Sequence, residues 1–409
     1  MSNEEKLVRM LKYVSEHNDF YKKRIREYGI ANPLDITQWP VLTRKELQEN
    51  RYNMFSDGYK AMYFSQQLRR QCSSGSSGIP VSVYWDYKDW YASNLPLWRE
   101  RAFWYRVYPK DKCAMFTLNA FNAEMTATDV FYEIGPQNIL SVNVSLIQKE
   151  EQYIRLVNII NDFEPDWLYI QPFVLNKIIQ CFQKYNIPRP LSLKYIESVG
   201  ELLTSDLRRR AKDFFNVPIA SMYGSEEMNG IAFETPEHSM DIFCDNVFVE
   251  VQKYDCIDRR GQGEAIITNL NNKSMPLVRY LQGDIITLNN CDRLKERIEI
   301  INGRSIDAIK INNYEINGFL LLEIVAQINN ELGDVISESK YSYIKSLKEL
   351  RCYAILNEKF KCWANNIKRL FCDLVNKKFN ESNEIKFTIV ITTKIDDIFG
   401  KKRILSVEE

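Results

Sequence analysis

Between residues 113 and 224 short apolar runs alternate with longer amphipathic stretches, and this pattern constrains the fold more than any other feature of the chain. CAMFTL (113–118), WLYI (167–170), KYIESVG (194–200) and PIASMYG (218–224) have the length and apolar content of buried strands. The stretches Glu150 to Phe163, Pro172 to Tyr185 and Thr204 to Phe215 have helical length and spacing. Strands of this kind, separated by helices, predict a parallel sheet covered by helices. After about residue 245 the pattern changes. VFVEVQKY, GEAIITNL, DIITL and RIEII are short strand-like runs joined by turns such as Arg260-Gly261, and they predict an antiparallel region.

From Gly303 onward the order is a helix from Glu315 to Glu331, two strands between Ser337 and Leu356, a helix from Lys359 to Phe379 and the strand IKFTIVI (385–391). The fold class expected is α/β. A large N-terminal domain, 1–302, carries helix-covered parallel sheets and an antiparallel β region, and a small C-terminal α+β domain occupies 303–409. At the other end, Leu7, Met10, Leu11 and Val14 fall at helical spacing, predicting one amphipathic helix over 3–28 with Gly29 as its stop. A turn-rich connector with Asn32-Pro33 and Trp39-Pro40 leads to a helix opening at Thr43.

Charge and residue usage then exclude several function classes. Lys+Arg and Asp+Glu both number 54, so no net positive field exists to hold nucleic acid or an anionic membrane. No run approaches the roughly 18 apolar residues of a membrane span, the charged start MSNEEKLVRM does not resemble a secretion signal, and nine scattered cysteines do not form a disulfide framework. A cytoplasmic protein is expected. Only His17 and His238 occur, neither in a metal-binding or nucleophile-activating arrangement, so histidine-based hydrolysis is not expected.

Glycine is scarce, 15 of 409 residues, so each glycine cluster calls for a reason. CSSGSSGIP (72–80) presents hydroxyls and backbone N–H groups with little steric cover, a composition that can wrap phosphate oxygens. It lacks the lysine of a P-loop, and taken alone it reads equally well as a surface turn. Further segments follow in order: SVGE (198–201) at a strand end, where α/β enzymes place ligands; YGSEE (223–227); LVRYLQGD (277–284); INGRSIDAIKI (301–311); and FGKKR (399–403). Singly, Asp284 is a turn residue, Arg304 a surface cation and Lys401 part of a basic tail. As an ordered set they are specific.

This order resembles the adenylate-forming superfamily, and within it the phenylacetate–coenzyme A ligase-like branch that includes capsule-biosynthesis relatives. HNDFYKKRIREYGI and WPVLTRKEL extend the resemblance into the N-terminal region, so that it runs over most of the chain. It implies AMP-forming acid–thiol ligation: a carboxylic acid attacks ATP to give acyl-AMP and pyrophosphate, and the acyl group passes to coenzyme A. By the same resemblance Ser73, Ser74, Gly75, Ser76, Ser77 and Gly78 hold the β- and γ-phosphates. Gly200 and Glu201 line the adenine site, and Tyr223, followed by Gly224, stacks on the base. Glu227 binds Mg²⁺, Asp284 accepts the ribose hydroxyls with Arg304 assisting, and Lys401 bridges carboxylate and α-phosphate. It further implies that the C-terminal domain is mobile and rotates between the two half-reactions.

Departures from the family pattern shape the expectations. Serine stands at 76 where threonine is usual, and Ile79 where lysine is frequent. Glu226 replaces a threonine or serine beside the magnesium glutamate, a second carboxylate that could bind metal or repel phosphate. Ile306 replaces the hinge aspartate or lysine, with Asp307 following, which keeps open transfer to an amine, a hydroxyl or a carrier thiol. A non-catalytic nucleotide- or acyl-binding homologue is a further reading, against which the joint retention of Glu227, Asp284, Arg304 and Lys401 weighs. TLNAFNAEMTATDVF (117–131) lacks the Gly- and aromatic-rich loop of phenylacetate pockets, so phenylacetate is not carried over as substrate. A structural zinc is not expected: Thr235 and Asp241 stand where ligands are found in some relatives, leaving His238, Cys244 and Cys291, short of about four suitable ligands. The partners expected are a small carboxylic acid and coenzyme A or another acyl acceptor, with no nucleic acid; a homodimer is compatible with these features.

Overall fold

Most elements expected between residues 113 and 224 form in the computed structural model within a residue or two of the bounds read from the sequence. It describes residues 2–72, 81–117, 132–135, 138–147, 149–253, 256–292, 295–304, 308–311, 314–333, 335–378, 385–393, 395 and 405–408. By its contacts the chain divides into two compact units, Met1–Pro109 with Ala220–Ile301, and Lys110–Ile219 with Asn302–Glu409.

In the first unit the described strands run side by side in the order Cys256–Asp258, Val247–Lys253, Gly261–Asn269, Tyr280–Asp292, Lys295–Arg304, Met240–Ile242, Asn229–Glu234 and Ile219–Ser225. Val247–Lys253 pairs antiparallel with Cys256–Asp258 and Gly261–Asn269, Gly261–Asn269 with Tyr280–Asp292, and Met240–Ile242 with Lys295–Arg304 and Asn229–Glu234, as the sequence pattern predicts; Asn229–Glu234 is also antiparallel to Ile219–Ser225. The N-terminal helix packs Leu7, Met10, Leu11 and Val14 into the core, and Asn3 donates to the carbonyls of Cys244 and Val247. The single helix expected over 3–28 is two, Asn3–His17 and Asp19–Glu27. Asn18 makes the break. With φ −134° it leaves the helical region, its side chain caps the second helix at Tyr21 N–H, and it donates to the Met54 carbonyl. Those bonds tie the corner to residues far along the chain, which local spacing cannot reveal.

In the second unit Tyr195–Val199, Trp167–Ile170, Cys113–Thr117 and Ile139–Asn143 form a parallel ladder, closed by antiparallel Tyr132–Gly135. The helices Glu150–Phe163, Pro172–Lys184 and Ser205–Phe215 pack Leu156, Ile160, Leu175, Ile178 and Leu207 into the core of this sheet. The C-terminal segment adds a sheet ordered Lys386–Thr392, Glu349–Leu356, Ile336–Ile344, Leu405–Glu408, with Leu321, Ile328, Ile367 and Phe371 from two helices in its core. The helix expected from Glu315 begins instead at Gly318, because Tyr314–Asn317 pairs with Ala308–Ile311 as a hairpin. Lys177 pairs with Glu338, and Asn176 donates to the Ser337 carbonyl while accepting from Arg210, fastening this segment to the helices 172–184 and 205–215. Among the described residues no helix is long and apolar enough to cross a membrane.

Candidate functional site

The chemistry-bearing residues of the first unit gather where the strand Ile219–Ser225 turns into Asn229–Glu234. The register shifts between Tyr223 and Gly224, a bulge in the pair. Gly224 permits it: a Cβ there would lie 2.5 Å from the Asn229 carbonyl oxygen, closer than any side chain is tolerated. Asn229 takes φ +61° and donates to Ser93 Oγ at 2.7 Å, which fixes the far side of the turn. The turn between them carries Glu226 and Glu227 on opposite courses: Glu226 is exposed, while Glu227 is 3% exposed.

Glu227 is buried with partners. Arg44 Nη1 lies 3.1 Å from its Oε1, and the Tyr280 hydroxyl donates to the same oxygen at 3.3 Å. Burial, then the negative charge of Glu227, push the Tyr280 hydroxyl well above the ordinary tyrosine range, so it remains a proton donor at neutral pH. Asp284 comes from the strand Tyr280–Asp292, just past Gly283 at φ +89°. The Tyr223 hydroxyl donates to Asp284 Oδ2 at 2.7 Å. The aromatic ring and carboxylate singled out in the sequence are therefore joined by a charge-assisted hydrogen bond.

The described residues on either side of the serine-rich segment are paired strands. Arg69–Cys72 pairs antiparallel with Ser82–Trp85, Cys72 opposite Ser82, with Cys72 Sγ 3.1 Å from Ser82 Oγ. Arg69 stacks over Trp90 at 4.1 Å, and Arg70 donates to Ser82 Oγ. In the strand before the segment, Gln71 Nε2 donates to Glu226 Oε2 at 3.3 Å and to Asn229 Oδ1 at 3.0 Å. Ser73, Ser74, Gly75, Ser76, Ser77 and Gly78 themselves, with Ile79, lie outside the described residues.

Arg44 is aimed by a rigid frame. It follows Thr43, which caps the helix Arg44–Glu49 in a reciprocal box with Glu46. Arg24 pairs with Glu46 at 2.6 Å and donates to the carbonyls of Pro40 and Val41. Burial raises the Glu46 carboxyl, but the Thr43 N–H, its hydroxyl and Arg24 outweigh that and hold it below the usual carboxylate range. On the other side, Leu42 N–H donates to the Arg279 carbonyl and Leu281 N–H to the Leu42 carbonyl. Arg279, at φ +52°, forms a two-point pair with Glu250 (3.0 and 2.6 Å) and donates to the carbonyls of Thr37 and Trp39.

The remaining expected residues belong to the second unit. Gly200, at φ +76°, ends the strand Tyr195–Val199. Glu201 Oε2 accepts from Phe173 N–H at 3.2 Å, in the first turn of the helix Pro172–Lys184. The structure thus gives Glu201 a helix-capping bond, a role the sequence reading did not assign. Arg304 closes the strand Lys295–Arg304, and Ile306, Asp307 and Lys401 lie outside the described residues. Two members of the site were missed: Arg44 and Tyr280 sit in WPVLTRKEL and LVRYLQGD, segments marked for their order while these two side chains received no role.

For a divalent ion, the donor set is hard and sparse. Glu227 accepts from Arg44 and Tyr280 on Oε1, and its Oε2 has no partner among the described residues. No group of three His, Cys, Asp or Glu converges among the described residues, and His238 bonds Glu234 at 2.8 Å. One or two carboxylates fit a Mg²⁺ that completes its shell with phosphate oxygens and water, and do not form an all-protein cage.

No family model matches the chain. It is 25% identical over 332 residues to the phenylacetate–coenzyme A ligase of Thermus thermophilus, covering 76% of this chain and 72% of that protein. It is 23% identical over 288 residues to protein CapK of Staphylococcus aureus, covering 68% of this chain and 60% of CapK. Among solved structures, 2-hydroxyisobutyryl-CoA ligase in the postadenylation state with 2-HIB-AMP superposes with a TM-score of 0.78 at 18% identity, over 99% of this chain and 89% of that one.

Proposed function

Since the chain belongs to the adenylate-forming superfamily, in its phenylacetate–coenzyme A ligase-like branch, we propose that it converts a carboxylic acid and ATP to acyl-AMP and pyrophosphate and then passes the acyl group to coenzyme A. The observation that carries this reading is the bond between Tyr223 and Asp284, with Glu227 four residues along the same turn. A ring that can stack on a base is held to a carboxylate that can accept ribose hydroxyls. A buried carboxylate for the phosphate end follows on the same strand end. That is the order of groups along ATP.

The roles then follow from what each group can do. Tyr223 orients the base, and its hydroxyl fixes Asp284 for the ribose, with Arg304 assisting. Ser73 to Gly78 bring hydroxyls and N–H groups to the β- and γ-phosphates. Glu227 would hold Mg²⁺, which when bound would neutralise charge on the triphosphate and make pyrophosphate a better leaving group. Lys401 brings an ammonium to the attacking carboxylate and the α-phosphate, where charge grows in the transition state. The segment 303–409 serves as the lid that brings Lys401 in and takes it away. No protein nucleophile is required, which suits a chain with two histidines.

The substrate carboxylate oxygen attacks the α-phosphorus and the bond to pyrophosphate breaks. The coenzyme A thiolate then attacks the acyl carbon and AMP leaves with the attacking oxygen. Acid labelled with ¹⁸O in both carboxylate oxygens therefore yields AMP bearing one ¹⁸O, read by mass spectrometry. Acyl-CoA formed with unlabelled AMP would contradict an acyl-AMP route.

A further inference from the structure

We propose that Arg44 is the counter-cation of Glu227 and makes divalent-metal binding at that carboxylate depend on the triphosphate that accompanies the metal. The inference rests on the reading of Glu227 as the metal carboxylate, and it adds a positioning residue that acts through it.

The geometry is that of a charge already answered. The Glu227 side chain is 4% exposed, and the guanidinium 3.1 Å away is 17% exposed. The second group at Oε1, the Tyr280 hydroxyl, is fully buried. The Arg44 backbone is held by the Thr43–Glu46 capping box, and the chain before it is clamped by Arg24 and Arg279. A dication reaching Oε2 alone meets a carboxylate already neutralised by a cation a few ångströms away, in a place where water screens little. A dication carried by a triphosphate brings an excess of negative charge, which attracts the guanidinium instead of repelling it. The pair admits the metal–nucleotide complex and disfavours the free ion.

The test uses the full chain and Mn²⁺, which electron paramagnetic resonance detects, titrated with and without the non-cleavable α,β-methylene analogue of ATP. Wild type should bind Mn²⁺ at least about tenfold more tightly with the analogue present, the scale of an ordinary coupling between two ligands. In Arg44→Met the nucleotide-free affinity should rise by about tenfold or more, as removal of a neighbouring cation requires. Arg44→Lys should behave as wild type. The double variant Arg44→Met with Glu227→Gln should lose the gain, which locates it at this carboxylate. A folded Arg44→Met with unchanged Mn²⁺ affinity would overturn the proposal, and so would a gain that survives the second substitution. If Arg44→Met does not fold, the wild-type titration decides: equal Mn²⁺ affinity with and without the analogue contradicts the proposal. Acid-dependent pyrophosphate release by wild type, measured alongside, separates failure of this inference from failure of the ligase reading.

Discussion

Replacing Glu250 by Gln should loosen the segment that aims Arg44, and the size of the effect can be worked from the contacts. Glu250 and Arg279 are 4% and 5% exposed, and their two bonds measure 3.0 and 2.6 Å. The same guanidinium holds the carbonyls of Thr37 and Trp39 at 3.3 and 2.8 Å. Glutamine keeps the shape and one acceptor but leaves a buried guanidinium without a counter-charge. Breaking one partner of a buried pair costs roughly 3–5 kcal/mol, and the retained acceptor puts this case at the lower end. A loss of about 3 kcal/mol multiplies local opening by roughly 100, at 1.4 kcal/mol per tenfold. The Leu42 and Leu281 amides bridge the segment to the strand Tyr280–Asp292, so hydrogen exchange on peptides covering them should accelerate by that factor. Amides of the second unit, such as Ile196, should keep wild-type rates. Replacing both partners by apolar residues, Glu250→Leu with Arg279→Met, should recover most of the loss, because no unpaired charge remains. An acceleration below about threefold in Glu250→Gln, against the roughly hundredfold expected for a buried pair, would refute the claim that this pair holds the segment.

Other outcomes are expected at the site itself. Tyr223→Phe keeps the ring and removes the donor to Asp284, a bond to a charged group of the class that contributes about 1.5–3 kcal/mol; KM for ATP should rise about tenfold with kcat little changed, and an unchanged KM would count against the pairing of ring and ribose carboxylate. Lys401→Ala should reduce acyl-AMP formation by at least about 100-fold, the scale on which a single transition-state donor acts, with the circular dichroism spectrum unchanged; full activity would remove Lys401 from the mechanism. Glu46, held below its ordinary value of 4.5, contributes stability that is present above that pH and lost as pH falls through the lower folded value. The deficit of Glu46→Gln in urea unfolding should therefore be full at neutral pH and shrink on acidification, and a deficit constant down to the acid limit would contradict the assignment.

The parallel half of the fold was legible because its strands and helices carry their periods openly: WLYI is a strand at the bounds read, and Glu150–Phe163 a helix at the bounds read. The helix Tyr87–Tyr105 was not. Its buried face includes Ser93, Pro96 and Arg101, while Tyr91, Leu95 and Phe103 are exposed, so no apolar stripe marks it. The strand Leu405–Glu408 gains its meaning only by pairing with Ile336–Ile344, more than sixty residues earlier in the chain. The site divides in the same way. Tyr223, Asp284 and Glu227 could be found because glycines and carboxylates stand in recognisable runs. Arg44 lies 183 residues from Glu227 and Tyr280 lies 53, and nothing in the local pattern of either couples it to that carboxylate. Glu201 was legible as a residue at a strand end, but its bond to Phe173 depends on a helix that opens with Pro172 and has no side-chain cap at Gln171.

The central claim is that a carboxylic acid is activated on ATP before the acyl group moves. It is tested most directly by pyrophosphate release from ATP and Mg²⁺ against a panel of aromatic, aliphatic, amino and sugar acids, with coenzyme A left out. The account predicts release that depends on one class of acid, is lost in Lys401→Ala, and is followed by acyl-CoA when coenzyme A is added. A folded, ATP-binding protein that releases no pyrophosphate with any acid of the panel would contradict it.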